Sequence, residues 1–209
     1  RKRGVDVEIH SSVPVSAGLG SSAAVAASTV VAVSSLLGLN LSQDEVFHLA
    51  LEAERLVHGT PSGIDPAIST YGGMLLFQRD TGFTPLSIKA DLPLVVGNTG
   101  VERSTGELVA SVREIRTRYP SLIDPIIKVG GKIALEAVEV LKRADLQTVG
   151  ELMSINHALL GAVGVSHESL DRLVYAARKS GAYGAKLTGG GGGGCMVALA
   201  RTEKLNEVM

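Results

Sequence analysis

The spacing of apolar positions changes several times along the chain, and each change marks an element. Val5, Val7 and Ile9 alternate with Asp6, Glu8 and His10, the period of a half-buried strand. From Ser21 to Leu37 the pattern is helical and almost wholly apolar, and Gly38 and Asn40 end it. Ser42-Gln43-Asp44-Glu45 is a capping box and opens a second helix, expected to run to about Val57. On that helix Val46, Leu49, Ala50, Ala53 and Val57 form one apolar arc, with Glu52 and Arg55 opposite. Glu54 falls beside Ala50 and Phe47, at the edge of the arc. A carboxylate there needs a partner, a metal or a route to water.

His58 to Gly63 reads as a loop, and Asp65-Pro66 as the start of a short helical turn, with Asp65 suited to an N-cap. Strands follow over 74–78, near 84–88 and over 94–97. Helices are expected over 105–118, 122–143, 147–162 and 167–180. The strand 184–187, a run of six glycines and the strand 195–200 complete the pattern, with no internal repeat. The change from mixed elements to long helices near residue 100 suggests two domains, 1–102 and 103–209.

Composition excludes more than it selects. The formal net charge is −1 and aromatics are 3% with no Trp, so neither a nucleic-acid surface nor attraction to an anionic membrane is indicated. Cys195 is the single cysteine, which precludes an internal disulfide and fits a cytoplasmic setting. The uncharged run from Ile9 to Gln43 raises the question of a membrane span. Its dense apolar part, Ala23 to Leu37, is shorter than the roughly 20 residues a span needs, and serines interrupt it, so a helix buried in protein is expected.

The chemistry centres on "VPVSAGLGSSAAVAAS", residues 13–28. A glycine-rich turn opening a helix gathers unpaired N–H groups at the positive end of the helix dipole, which suits phosphate. A P-loop would require Lys after the last glycine, and Ser21 stands there. Gly18-Leu19-Gly20-Ser21-Ser22-Ala23 fits the dinucleotide fingerprint, yet a second helix follows where that fold needs a strand ending in an acid. A plain strand–helix turn remains open on this loop alone. The glycines 189–194 pass directly into Cys195-Met196-Val197, which favours a backbone nest at a ligand over a flexible linker.

Taken together these segments resemble the GHMP kinases, the family of galactokinase, homoserine kinase, mevalonate kinase and phosphomevalonate kinase. "PVSAGLGSSAA", Pro14 to Ala24, is similar to the family's phosphate-binding motif, and "KLTGGGGGGC", Lys186 to Cys195, to its C-terminal glycine motif. "AERLVHGTPSGIDPAISTYGG", Ala53 to Gly73, resembles the mevalonate kinase branch. "NTGVERSTGELVASVRE", Asn98 to Glu114, and "SINHALLGAVGVS", Ser154 to Ser166, resemble its archaeal type.

The resemblance implies an α+β, two-domain fold. Its N-terminal ATP-binding α/β domain would carry a left-handed βαβ unit, and its C-terminal α+β domain would be ferredoxin-like. It also implies transfer of a phosphoryl group from ATP, with Mg²⁺, to mevalonate. Pro14, Ala17, Gly18, Leu19, Gly20, Ser21, Ser22 and Ala23 would bind ATP, Ser22 and Glu54 would hold Mg²⁺, and Asp65 would be catalytic. Thr105, Gly190 and Gly191 would meet substrate, His58 would be structural, and a homodimer would be compatible with the family. The family's Pro-Gly-Lys strand and its last C-terminal strand have no counterpart here, so truncation at both ends is expected, with a fragment inactive by itself. Gly190 stands where the family usually has Ala. Another acceptor within the family, or a GHMP-fold protein that binds without turnover, are the alternatives.

Overall fold

The computed structural model describes residues 4–13, 18–58, 61–102 and 105–209, with the side chains of His58 and Thr105 outside the description. The chain forms two compact units, one built on Leu19–Leu86 and one on Ser87–Met209.

Among the described residues the first unit holds three helices and a hairpin. Helix α1 spans Ser21–Leu36, α2 Gln43–His58 and α3 Ile64–Tyr71; β1, Met74–Gln78, pairs antiparallel with β2, Gly82–Leu86. Small residues let α1 and α2 approach closely. Ala23 and Ala27 of α1 and Val46 and Ala50 of α2 are all buried, with Ala26, Val30 and Leu41 packed around Ala27, Val46 and Ala50. Helix α1 ends in a Schellman motif: Leu39 N–H donates to Ser34 O at 2.8 Å and Gly38 N–H to Ser35 O at 3.1 Å.

Helix α2 begins with the expected capping box. Ser42 N–H donates to Glu45 Oε2 at 2.8 Å, and Glu45 N–H to Ser42 Oγ at 3.3 Å. The backbone and side-chain bonds from Ser42 hold the Glu45 carboxyl below its ordinary range. Ser42→Ala is expected to cost about 1 kcal/mol, read as a lower midpoint in thermal unfolding, with the gap to wild type closing as Glu45 protonates in acid. An unchanged midpoint at neutral pH would contradict that role.

Several expectations are corrected. Residues 4–10 form no strand: Val5, Val7 and Ile9 are each about half exposed and pair with no strand among the described residues. Alternation supplies a face, and a strand also requires an edge to bond. The buried face of α2 is rotated from the expected arc. Leu49 and Val57 are exposed, while Phe47 and Leu51 sit inward against Gly63 and the Phe83 ring. β2 begins two positions earlier than expected, because the tight turn 79–81 closes directly onto Gly82, opposite Gln78. Asp65 is not an N-cap: Gly63 holds that position, and Asp65 stands in the first turn of α3.

Among the described residues the second unit is a three-stranded antiparallel sheet, order β3-β5-β4, with helices packed on it. β3 spans Leu94–Asn98, α4 Thr105–Arg118, α5 Pro120–Lys142, α6 Leu146–Ala162, α7 Glu168–Lys179, β4 Gly184–Leu187 and β5 Cys195–Leu199; a 3-10 turn, Thr202–Lys204, leads into α8, Leu205–Val208. α5 starts at Pro120, because a proline suits a first helical position. β3 bonds to β5 in register Asn98↔Cys195, so the units divide between Leu86 and Ser87, ahead of the change to long helices near residue 100.

The core of this unit joins Leu170, Val174 and Ala177 of α7 to Leu187, Met196 and Ala198 of the sheet. Fully burying Leu170 or Leu187 contributes roughly 1.5–3 kcal/mol each. α6 crosses β4 backbone to backbone: a Cβ on Gly184 would lie 1.9 Å from Gly150 O. Among the described residues no helix is long and apolar enough to cross a membrane.

Candidate active site and family

In the first unit the α1 N-terminus, the buried face of α2 and the first turn of α3 bring three predicted residues and one glycine into a single place. Gly20 caps α1 in the left-handed conformation, φ 70°, with no side-chain cap bond. Ala24 N–H is bonded to Gly20 O at 2.9 Å, so the amides of Ser21, Ser22 and Ala23 precede the helical ladder. Gly18 is also left-handed, φ 75°, and Leu19 between the two is exposed.

Glu54 is 6% exposed, so it lies inside the helix packing instead of at its edge. It falls one turn after Ala50 and Leu51, on the face that meets α1 and α3. Its Oε1 accepts from Ser22 Oγ at 2.5 Å. This bond links the second residue of α1 to a carboxylate 32 positions on. Ser22 itself is exposed, so the pair opens to solvent through the hydroxyl.

Asp65 is exposed in the first turn of α3, and its side chain faces Gly20. A Cβ added to Gly20 would stand 3.6 Å from Asp65 Cβ and Cγ and 3.7 Å from Oδ1. Gly20 and the Asp65 carboxyl are therefore neighbours across α1 and α3. That proximity is not readable from a motif; only the approach of α3 reveals it. Pro14 and Ala17 lie outside the described residues.

The donor set suits a hard cation. An all-oxygen pair of one carboxylate and one hydroxyl, at a helix N-terminus that attracts phosphate, matches the way Mg²⁺ is held by one or two carboxylates together with substrate phosphates. Among the described residues no cluster of three or more His, Cys, Asp or Glu could cage a metal by itself.

In the second unit the glycine run is a packed turn between β4 and β5 and no linker. Gly191 is buried at φ 82°, and a Cβ there would lie 2.0 Å from Val165 O, so no other residue fits. Gly192 N–H donates to Val165 O at 2.8 Å and Gly194 N–H to Val101 O at 3.0 Å. Gly190 lines a cavity of about 180 Å³ with Leu108, Val109, Val112 and Val165. Thr105 is the first residue of α4, and its side chain lies outside the description.

Comparison with known proteins gives the family. Residues 1–73 match the GHMP kinases N terminal domain, and residues 137–209 match the GHMP kinases C terminal. The chain is 52% identical over 205 residues to a mevalonate kinase of Pyrococcus horikoshii, covering 96% of this chain and 61% of that protein. It is 40% identical over 203 residues to a mevalonate kinase of Archaeoglobus fulgidus, covering 96% of this chain and 67% of that protein. Among solved structures it is similar to L. major mevalonate kinase in complex with R-mevalonate, with 37% identity and a TM-score of 0.86 over 90% of this chain and 59% of that one. The chain thus spans about three-fifths of the length of most of these relatives. Matched at both of its ends by the family's two domains, and over two thirds of a relative's length, the chain belongs to the GHMP kinase family.

Proposed function

We propose that the whole protein carrying this chain transfers the γ-phosphoryl group of ATP to the primary hydroxyl of mevalonate, in a cytoplasmic setting. The observation that carries the reading is the convergence of Ser22, Glu54 and Asp65 at the N-terminus of α1. The identity of its relatives supports mevalonate as acceptor.

Phosphoryl transfer requires little covalent chemistry from the protein and much positioning and charge neutralisation. The amides of Ser21, Ser22 and Ala23, with the loop Gly18-Leu19-Gly20, bind the phosphates of ATP; Pro14 and Ala17 flank that loop. Ser22 Oγ and the Glu54 carboxylate hold Mg²⁺, which when bound neutralises phosphate charge. The existing Ser22–Glu54 bond orients both oxygens for this. Asp65 lies across Gly20 from the helix entrance, where its carboxylate orients the acceptor hydroxyl and takes its proton. Thr105, Gly190 and Gly191 contact substrate.

The test is ADP release by the whole protein with ATP and Mg²⁺, offered mevalonate, phosphomevalonate, galactose or homoserine in turn. The reading expects release with mevalonate to exceed release with the others by at least about 100-fold, since a site built for one acceptor's polar groups rejects others strongly. Equal or greater release with another acceptor would move the substrate assignment. Nucleotide binding with no release for any acceptor would point to a binding protein on this fold.

A further inference from the structure

β4 is an edge strand of its sheet, so alternate N–H groups face away from β5. Leu187, the last residue of β4, is fully buried, and a buried amide without an acceptor is costly. The acceptor comes from a side chain: Leu187 N–H donates to His157 Nδ1 at 3.3 Å. That bond fixes the ring. Nδ1 carries no proton, and Nε2 bears the hydrogen, 3.2 Å from Asp171 Oδ1 of α7. Ser166 Oγ donates to the same carboxylate oxygen.

The network reaches the glycine run from both sides. Leu187 stands two residues before Gly189. Ser166 follows Val165, whose carbonyl receives Gly192 N–H and abuts Gly191. We propose that His157 is the positioning residue of the glycine run: through Leu187 on one side and Asp171, Ser166 and Val165 on the other, one imidazole sets both anchors of the turn. Its bearing on catalysis rests on the reading of that run as part of the substrate site.

The arrangement works in one charge state only. A proton on Nδ1 removes the acceptor that Leu187 N–H requires. His157 is 14% exposed. Burial pushes its pKa below the ordinary 6.5; Asp171 of α7 opposes that shift, and Lys186 of β4 and Arg178 of α7 add to it. The folded value lies below the unfolded one. The stabilisation is therefore complete above pH 6.5 and is lost as pH falls through the lowered folded value.

The test uses the whole protein with ¹⁵N-glycine labelling, and the amide shifts of Gly189 to Gly194 are followed against pH. In the wild type they are expected to move with the His157 ring, at a midpoint below 6.5. His157→Gln keeps an acceptor for Leu187 and a donor for Asp171 but cannot titrate. It is expected to keep neutral-pH kinetics within about 2-fold and to lose the acid-side movement of the glycines. His157→Ala is expected to shift the glycine amides at every pH and to raise the mevalonate KM about 10-fold, more than kcat falls, as a displaced positioning group does. Glycine amides that ignore the His157 titration, or that titrate equally in His157→Gln, would overturn the proposal. Amides that follow His157 while the acceptor KM is unmoved in His157→Ala would uphold the positioning and overturn only the assignment of the run to the substrate site.

Discussion

Replacing Asp65 by Asn is expected to lower turnover about 10²- to 10⁴-fold, the range for loss of a positioned proton acceptor, with ATP affinity changed less than about 3-fold. The substitution keeps the shape of the side chain. Gly20 faces Asp65 Cβ and Cγ as well as Oδ1, so Asn occupies the same space, and the α1 amides proposed for the phosphates stay where they are. Asp65 is exposed in the first turn of α3, where Gly63 holds the N-cap position, so Asn can take its place without disturbing the packing of a core. What is lost is an acceptor for the hydroxyl proton. Steady-state turnover and nucleotide binding, measured on the same preparation, separate the two effects. Near-normal turnover in Asp65→Asn would remove Asp65 from the mechanism.

Replacing Glu54 by Ala is expected to raise the Mg²⁺ concentration for half-maximal activity about 10- to 100-fold, the loss typical of a damaged metal site. Glu54 is buried, and its Oε1 holds the Ser22 hydroxyl, so the change removes one proposed ligand and releases the other. Glu54→Gln isolates the charge, because its amide oxygen still accepts from Ser22 while the negative charge is gone. Gln is expected to lose Mg²⁺ affinity nearly as far as Ala, with a smaller drop in thermal stability, since it leaves no cavity. A Mg²⁺ titration unchanged in both variants would assign Glu54 to packing alone.

These residues were legible in the sequence to different depths, and the difference is physical. The capping box and the glycine end of α1 depend on neighbours in the chain, and both form as read. Glu54 stands out in the sequence as an ill-placed carboxylate, but the sequence does not show how deep it lies. The buried side of α2 is set by where α1 and α3 press on it, and that turns the face toward Phe47, Leu51 and Glu54 and leaves Leu49 and Val57 outside. The alternation at Val5, Val7 and Ile9 shows the other limit, since a pattern describes one strand and a ladder needs two. His157 could not be read at all. Its value comes from an edge strand far along the chain whose last N–H has no strand beside it. The sequence signal, a His on the inward side of α6 between Met153 and Leu160, is common to many buried histidines.

In the function proposed above, Ser22, Glu54 and Asp65 at the start of α1 form the phosphoryl-transfer site of a mevalonate-phosphorylating enzyme. The most direct measurement is phosphorus NMR of the whole protein with ATP, Mg²⁺ and mevalonate, run beside Asp65→Asn. One new phosphomonoester on the primary hydroxyl of mevalonate is expected, growing in step with ADP and nearly absent in the variant. ADP accompanied only by inorganic phosphate, or an ester that forms as fast in Asp65→Asn, would contradict it.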